Sequence, residues 1–301
     1  MSQPAEVKTL DTHMHGWAGI TAVYLLPGPN PAIIDTGPGS SVEHVLSALD
    51  AAGVDSLAWI VLTHIHLDHA GAAGHLARRF PEAKVVVRRE GARHLADPSR
   101  LWASAARLYP NMEELWGQML PVDPDRIIAI DEDGPAVELG GGRRLEAHYA
   151  PGHAKHQMAL LDSDSGDLFV GDALGVRVPD AGVVRPATPP PEFDLELLIN
   201  TAQRLRKLGP GRALPTHYGP APDVDEIFEE APRRFTQWVE AAERVYAAGG
   251  GLQEMIEDFR ARRPEFYPDL DPEVVEKFEY SCSYDLNARG ILRYLQQRST
   301  G

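Results

Sequence analysis

The sequence predicts an α/β fold, and three observations support this prediction. From about residue 20 to residue 220, short apolar runs typical of strands alternate with segments that have the spacing of helices. Several of these runs end in short loops that carry histidine or aspartate. The chain of 301 residues, 43% hydrophobic and 24% charged, is long enough to bury a large core.

The first predicted elements are two strands at residues 21–26 and 32–35, joined by a turn rich in proline and glycine. Asp35 ends the second strand, and a helix is expected over about residues 41–52. The apolar residues 59–62 then predict a third strand. This strand leads directly into the loop that holds the main candidate site.

That loop carries a dense group of metal-binding side chains, because His64, His66, Asp68 and His69 fall within six residues. An Ala/Gly-rich segment that can begin a helix follows. Side chains in a loop between a strand and a helix can point in different directions. The three imidazoles and the carboxylate can therefore be divided between two metal ions. They suit zinc, iron and manganese, and their spacing does not choose among these metals.

Three later loops each add one candidate ligand at the end of a predicted strand. His153 follows a Pro-Gly pair, Asp172 follows Gly171, and His217 follows a short strand at residues 212–214. A carboxylate directly after a buried strand is costly unless a cation or a hydrogen bond compensates it. If Asp172 lay between two metal ions, the cations would compensate the cost of burying its carboxylate.

Other histidines near these loops are not counted as ligands. His13 and His15 lie ahead of the first strand and are expected to be loop residues, and the sequence leaves open whether they border the pocket. His156 follows His153 closely. It either orients a ligand, touches the substrate or has a structural role.

Two segments depart from the alternation of strands and helices. Residues 90–120 predict two or three short helices with Trp and Met at helical spacing, as a packing surface, a cover of the pocket or a dimer contact. We expect this insertion to influence substrate choice. Residues 223–248, 252–263 and 272–297 predict three helices without any strand pattern.

The run His64-x-His66-x-Asp68-His69 resembles the signature of the metallo-β-lactamase fold superfamily, and His153, Asp172 and His217 follow in the order of that family. The resemblance covers roughly residues 5–220. It implies a four-layer αβ/βα sandwich with the site between two sheets. The domains expected from it are a catalytic domain at residues 1–220, with the insertion, and a helical C-terminal extension at residues 221–301.

The resemblance also implies a role for each candidate side chain. Asp35 matches an Asp-x-Gly turn that supports the metal-binding loops, and Asp172 matches a carboxylate shared by two metals. The first metal would be held by His64, His66 and His153, and the second by Asp68, His69 and His217. Zinc is the first expectation for both metals, with iron or manganese as alternatives.

The function implied is that of a metal-dependent hydrolase. Two divalent ions lower the pKa of a shared water, so that hydroxide is available to attack an ester-like bond. Asp68 would orient this hydroxide and pass a proton to the leaving group. A thioester or a lactone is the first choice of substrate. The alternatives are a phosphodiesterase or ribonuclease of the same fold, a mononuclear iron dioxygenase acting on a persulfide, and a non-catalytic binding protein.

Composition restricts the expected partners and location. A net charge of −15 disfavours long nucleic acids, which are bound by clustered Lys and Arg, so a small-molecule substrate is expected. No apolar run reaches the length of a membrane span, and the first residues lack the pattern of a secretory signal. The single cysteine, Cys282, excludes an internal disulfide. We therefore expect a cytoplasmic protein without a membrane partner, and leave a homodimer open.

Overall fold

The computed structural model of the chain describes residues 6–109, 111–179, 181–267 and 269–300. In this part of the chain two β-sheets pack face to face, and helices cover the outer face of each sheet. The order of layers is helix, sheet, sheet, helix. The predicted four-layer α/β sandwich with C-terminal helices is therefore confirmed.

The first sheet is mixed, and the structure describes it as six strands: β1 (Lys8–Asp11), β2 (Ala22–Leu26), β3 (Ala32–Ile34), β4 (Trp59–Val61), β5 (Lys84–Arg88) and β6 (Ile127–Ile130). These strands are adjacent in chain order. The first three are antiparallel, and β3 to β6 are parallel. Because β3 and β4 are parallel, with Ile34 opposite Val61, the loops that follow them lie at the same edge.

The second sheet contains β7 (Gly134–Gly140), β8 (Arg143–Tyr149), β9 (Met158–Asp162), β10 (Asp167–Gly171) and β13 (Arg212–Pro215). Their order is β13-β10-β9-β8-β7, and only the pair of β10 and β13 is parallel among these described strands. Gly171 lies opposite Pro215, so the residues after these strands lie together. A separate ribbon is formed by β11 (Val176–Arg177) and β12 (Val184–Arg185).

Alternation of side chains along the strands divides the core into layers. In β2, Tyr24 points between the sheets and packs edge-on against Phe169 of β10, with ring centroids 5.2 Å apart. Val23 and Leu25 point to the opposite face and pack with the helices that cover the first sheet. A fully buried strand such as β2 therefore carries apolar residues at every position.

The helices before the C-terminal region are α1 (Val42–Ala51), α2 (Leu67–Ala70), α3 (Ala73–Arg79), α4 (Arg89–Ala96), α5 (Ser99–Ala105), α6 (Met112–Trp116), α7 (Leu195–Arg206) and α8 (Val224–Ala247). The first sheet is covered by α1 and α3, and the second by α7 and α8. The short helices expected between residues 90 and 120 are α4, α5 and α6.

The C-terminal region continues with α9 (Leu252–Ala261), α10 (Arg263–Phe266), α11 (Pro272–Cys282) and α12 (Tyr284–Thr300). The prediction of one helix over residues 272–297 was wrong, because the chain breaks at Ser283. The Ser283 hydroxyl accepts a hydrogen bond from the N–H of Leu286 at 3.1 Å and so caps α12. Among the described residues, no helix has both the length and the apolarity needed to cross a membrane.

Helix α8 belongs to two cores. Its residues Ile227 and Phe228 pack on the second sheet, whereas Phe235 and Trp238, two turns further on, pack with α9, α11 and α12. The C-terminal helices are thus joined to the sandwich through a continuous helix. The domain boundary at residues 220 and 221 stays a prediction.

Candidate metal centre

Four loops that follow strands converge at one edge of the two sheets. The structure brings together all seven side chains that the sequence singles out: His64, His66, Asp68, His69, His153, Asp172 and His217. The segment after β4, which runs from the loop into helix α2, supplies four of them, and the loops after β8, β10 and β13 supply one each. His64, His69 and His217 are 0% exposed, so the centre lies inside the protein rather than on its surface.

Three imidazoles form the first group of facing nitrogen atoms. His66 Nδ1 lies 3.0 Å from His64 Nε2 and 3.0 Å from His153 Nε2. Two nitrogen ligands of a tetrahedral zinc ion are separated by about 3.3 Å, given Zn–N bonds of about 2.0–2.1 Å. The spacing of these nitrogens is therefore close to that of a metal site.

The second group combines Asp68, His69 and His217. Asp68 Oδ2 lies 3.3 Å from His217 Nε2 and 3.8 Å from His69 Nε2. Asp172 lies between the two groups, since its Oδ1 is 3.2 Å from His69 Nε2 and its Oδ2 is 3.6 Å from His153 Nε2. This is the arrangement expected of a carboxylate shared by two cations.

Three buried polar atoms of this centre have no hydrogen-bond partner among the described residues. They are His69 Nε2, His217 Nε2 and Asp172 Oδ1. A buried polar atom without a partner is destabilising, typically by about 1–3 kcal/mol. With both imidazoles neutral, all three atoms offer lone pairs to the same space. A divalent cation would satisfy them together, so the donor set fits a metal.

Backbone carbonyls orient two of the imidazoles. The Nδ1 atom of His153 lies 3.0 Å from the carbonyl oxygen of Ala187, and that of His217 lies 3.0 Å from the carbonyl oxygen of Ile20. Because a carbonyl oxygen only accepts, Nδ1 must carry the proton in each ring. The Nε2 atoms then present free lone pairs to the centre, which is the tautomer that binds a metal.

Asp35 ties the ligand loops together. Its buried carboxylate accepts hydrogen bonds from the Thr63 backbone at 2.8 Å, the Thr63 hydroxyl at 2.8 Å, His69 Nδ1 at 2.8 Å and the Thr216 hydroxyl at 2.6 Å. The Thr63 hydroxyl therefore accepts from His64 Nδ1, 3.1 Å away. These contacts agree with the supporting role that the family resemblance implies for Asp35.

The imidazoles of the first group are held in the neutral form. Burial, and then the neighbouring His153, lower the pKa of His66 to about 3. Burial, and then His69, also lower the pKa of His64 well below its ordinary value. Neutral imidazole is the form that coordinates a metal, so this group needs no deprotonation before binding.

The two carboxylates are held in the ionised form. Burial raises the pKa of Asp68, but His69 and His217 outweigh burial and bring that pKa down to about 2. Burial likewise raises the pKa of Asp172, and the same two imidazoles outweigh it and lower the pKa of this carboxyl below its ordinary value. Both side chains therefore carry the negative charge that would balance bound cations.

A cavity of about 250 Å³ opens onto this centre. His66, Asp68 and Asp172 lie among its lining residues. Its walls are mostly apolar, and they come from the helical insertion, from the loop before α7 and from the C-terminal helices: Leu101, Ala105, Leu108, Tyr109, Trp116, Pro189, Pro190, Pro191 and Leu286. The insertion thus covers the pocket, which is one of the roles considered for it.

Polar residues that the sequence did not single out also line the cavity. The charged or ionisable ones among them are His94, Arg100 and Glu192, which come from α4, α5 and the loop before α7. No motif marks them, because each is an ordinary polar residue of a solvated helix or loop until the fold places it at the pocket.

Three further histidines, which were not counted as ligands from the sequence, lie in different places: His156, His15 and His13. His156 lines the cavity, 5.2 Å from His66 between ring centroids, and accepts a hydrogen bond from the Ile65 backbone at 3.4 Å. His15 packs against Tyr280 at 5.0 Å, and His13 lies 5.2 Å from His44. Within the described part of the chain, none of these three joins a group of converging metal ligands.

Comparison with known proteins places the chain and its fold in one family. The family model of the metallo-beta-lactamase superfamily matches residues 16–217. The chain is 32% identical over 196 residues to the metallo-beta-lactamase fold-containing protein ST1585 of Sulfurisphaera tokodaii, covering 64% of this chain and 70% of that protein. The crystal structure of this archaeal protein matches with a TM-score of 0.72 at 24% identity, covering 97% and 99% of the two chains.

Some of the relatives carry named activities. A hydroxyacylglutathione hydrolase of Synechococcus is 30% identical over 152 residues, covering 50% of this chain and 48% of the relative. An atrochrysone carboxyl ACP thioesterase of Aspergillus fumigatus is 28% identical over 156 residues, covering 51% and 40%. The chain thus spans less than half the length of either enzyme. Since the family model matches more than half of the chain, this protein belongs to the metallo-beta-lactamase superfamily.

Proposed function

We propose that this protein is a hydrolase with two divalent metal ions that cleaves an ester-like bond in a small molecule, with a thioester or lactone as the substrate class. The observation that carries the proposal is the convergence of five imidazoles and two carboxylates at the base of a largely apolar cavity. The first ion would be held by His64, His66 and His153. Asp68, His69 and His217 would hold the second, and Asp172 would be shared.

The chemistry divides between the ions and the protein. When bound, divalent ions lower the pKa of water toward neutrality and polarise a carbonyl oxygen. Asp68 supplies the proton transfer, because its side chain is 14% exposed toward the cavity whereas that of Asp172 is 4% exposed. The ionised Asp68 carboxylate accepts a proton from the attacking water and passes it to the leaving group.

The pocket favours an acyl substrate with an apolar part. Leucine, proline and aromatic side chains form most of the wall, and Arg100 is the sole Arg or Lys among the described lining residues. A phosphodiester chain would need a row of cations along its path, and the net charge of −15 supplies no general attraction. One relative is named as an ACP thioesterase, which supports the thioester over the lactone.

The experiment that tests this function joins metal analysis to a panel of substrates. Purified protein is expected to hold two equivalents of divalent metal per chain, zinc first. It is expected to hydrolyse an acyl thioester or a lactone faster than a phosphodiester or a β-lactam. One iron per chain with oxygen consumption on a persulfide would overturn the proposal in favour of a dioxygenase. Cleavage of the phosphodiester alone would favour a nuclease.

Asp172→Ala provides the corresponding test on a single residue. Loss of the shared carboxylate leaves the two cations without the group that separates and neutralises them, so turnover should fall to the background rate. Circular dichroism should remain that of the parent, because Asp172 follows the last residue of β10 and its side chain makes no hydrogen bond of the sheet. His44→Ala, at an exposed position of helix α1, serves as the control and should retain full activity. Full activity of Asp172→Ala would contradict the assignment.

A further inference from the structure

The C-terminal helices contact the loop that orients His153. We propose that Asn287 of α12 is a positioning residue for this imidazole, so that the helical extension forms part of the metal centre. The inference rests on the proposed function, because it takes His153 to be a metal ligand. The inference gives the C-terminal helices a role in positioning a metal ligand.

The first step is the contact between His153 and Ala187. His153 is 2% exposed, and its Nδ1 donates to the Ala187 carbonyl oxygen at 3.0 Å. This bond fixes both the tautomer of the ring and its rotation about the Cβ–Cγ bond. Ala187 lies in an irregular stretch between β12 and α7, and no sheet hydrogen bond holds its peptide in place. Another element must hold that carbonyl.

Asn287 holds the residues on both sides of Ala187. Its Oδ1 accepts from the Thr188 backbone N–H at 2.8 Å and from the Thr188 hydroxyl at 2.8 Å. Its Nδ2 donates to the carbonyl oxygens of Pro186 at 2.9 Å and Cys282 at 3.1 Å. The amide therefore has two donors facing its oxygen and two acceptors facing its nitrogen, so only one orientation of the side chain satisfies all four partners.

The backbone of α12 lies directly against the same loop. A Cβ atom at Gly290 would come within 1.6 Å of the Thr188 carbonyl oxygen, so only glycine permits this approach. At the start of the loop, the buried Arg185 donates to Glu279 at 2.6 Å, and its guanidinium lies 4.0 Å from the ring of Tyr284. The loop is thus anchored by α11 and α12 at two points.

Packing alone does not explain an asparagine at position 287. The side chain is 0% exposed, and asparagine is unfavourable within a helix compared with leucine or alanine. An apolar residue would fill the same space but would leave the Thr188 N–H and the Pro186 carbonyl without partners. The hydrogen bonds of Asn287 therefore fix the backbone conformation of residues 186–188. This conformation in turn fixes the position of the Ala187 carbonyl oxygen.

The test compares zinc affinity with stability in the full chain. Asn287→Ala is expected to raise the dissociation constant for Zn²⁺, measured by competition with a chromogenic chelator, by about tenfold, the lower end of the range for groups that orient ligands. Phe259→Leu is the control, because this buried residue of α9 packs in the same helical core without a hydrogen bond to the loop. It should lower the free energy of unfolding while zinc affinity stays within about twofold of the parent.

A second pair of variants covers the case in which Asn287→Ala does not fold. Thr188→Val removes one of the two hydrogen bonds to Asn287 Oδ1 and is expected to weaken zinc binding by about threefold, less than loss of the whole network. Thr188→Ser restores the hydroxyl and should restore the affinity. Such rescue is not expected from a general loss of packing, because serine is smaller than valine.

The outcomes separate this inference from the function on which it rests. If the unaltered protein binds no divalent metal, the proposed function fails, and the inference fails with it. If the unaltered protein binds two ions and Asn287→Ala and Thr188→Val bind them equally tightly, only the inference is overturned. Equal weakening by Phe259→Leu would also overturn it, because the effect would then follow stability.

Discussion

Asp35 illustrates how a residue outside the ligand set can control the centre. Its carboxylate is 0% exposed and accepts hydrogen bonds from Thr63 and His69, which follow β4, and from Thr216, which follows β13. Its φ of 57° lies in the left-handed region, which a non-glycine residue seldom adopts. The bonds to the segments after β4 and β13 hold this strained turn and place His69 Nε2 toward the centre.

Replacing Asp35 by asparagine should therefore weaken metal binding. The amide keeps one acceptor oxygen but loses the negative charge that favours the Nδ1–H tautomer of His69. We expect the dissociation constant for Zn²⁺ to rise by about 10–100-fold. Chelator competition measures the change, and Asp50→Asn, which affects an exposed pair with Arg79, is the control. An unchanged affinity in Asp35→Asn would exclude a role for this carboxylate in orienting His69.

At the scale of single residues, the sequence could predict the metal ligands but not the groups that orient them. His64, His66, Asp68 and His69 are crowded into one loop after an apolar run, and few other chemistries need such a group. The carbonyl oxygens of Ala187 and Ile20 orient ligands equally directly. Every residue has a carbonyl oxygen, so no sequence pattern marks these two.

At the scale of elements, the pairing of strands determines where the ligands meet. The parallel neighbours β3 and β4 place Asp35 beside the histidine loop, and the parallel neighbours β10 and β13 place Asp172 beside His217. The helical insertion α4 to α6 then forms a wall of the cavity. Helical spacing of apolar residues could predict the helices themselves. Their position over the pocket depends on packing between distant elements, which local patterns do not contain.

The insertion should control the length of the acyl group that is hydrolysed. Leu101 of α5 lines the cavity, whereas its neighbour Trp102 lines a separate surface depression. Leu101→Ala removes apolar contact, and kcat/KM for a long-chain acyl thioester should fall by about tenfold, with little change for an acetyl thioester. Trp102→Leu is the matched control and should leave the ratio of the two rates unchanged. A ratio unaffected by Leu101→Ala would show that the acyl group lies elsewhere.

The pairing of β8 with β9 includes a buried ion pair that should make stability depend on pH. Burial raises the pKa of Asp162, but the hydrogen bonds and charge of Arg143 outweigh burial and hold the pKa below its ordinary value. The Arg143 Nε lies 3.0 Å from Asp162 Oδ2. A lowered pKa in the folded state stabilises the protein above the unfolded value of about 3.9, and this contribution is lost as pH falls below it.

Asp162→Asn tests this contribution. At pH 7 the variant removes the carboxylate charge that lies against the buried Arg143 guanidinium, so the free energy of unfolding should fall by about 3 kcal/mol. The difference from the parent should shrink as pH falls below about 4, because Asp162 is protonated first in the unfolded parent and, at still lower pH, in the folded parent. Urea unfolding at several pH values measures the difference, with Asp164→Asn in the exposed turn as control. If the difference in free energy of unfolding between Asp162→Asn and the parent did not change with pH, it would contradict the lowered pKa of Asp162.

At the scale of the whole molecule, the sandwich and the C-terminal helices share a helix and a loop. Helix α8 packs on the second sheet through Phe228 and on the C-terminal helices through Trp238, and Asn287 reaches the loop beside His153. The alternation of strands and helices could predict the sandwich, and the lack of strand patterns could predict the helical region. The contacts that join the two could not be predicted, because they link residues about a hundred positions apart, such as Thr188 and Asn287.

A chain that ends at residue 220 should therefore fail to form a stable catalytic domain. Truncation removes α8 from the outer face of the second sheet and exposes apolar residues there, including Leu168, Val170 and Ala213. We expect the truncated protein to aggregate, and the full chain to unfold in a single calorimetric transition whose midpoint rises with added Zn²⁺. Truncation after residue 298 is the control and should leave folding intact. A soluble truncated domain that still binds two zinc ions would show that the sandwich is independent of the helices, and would leave Asn287 without a role at the centre.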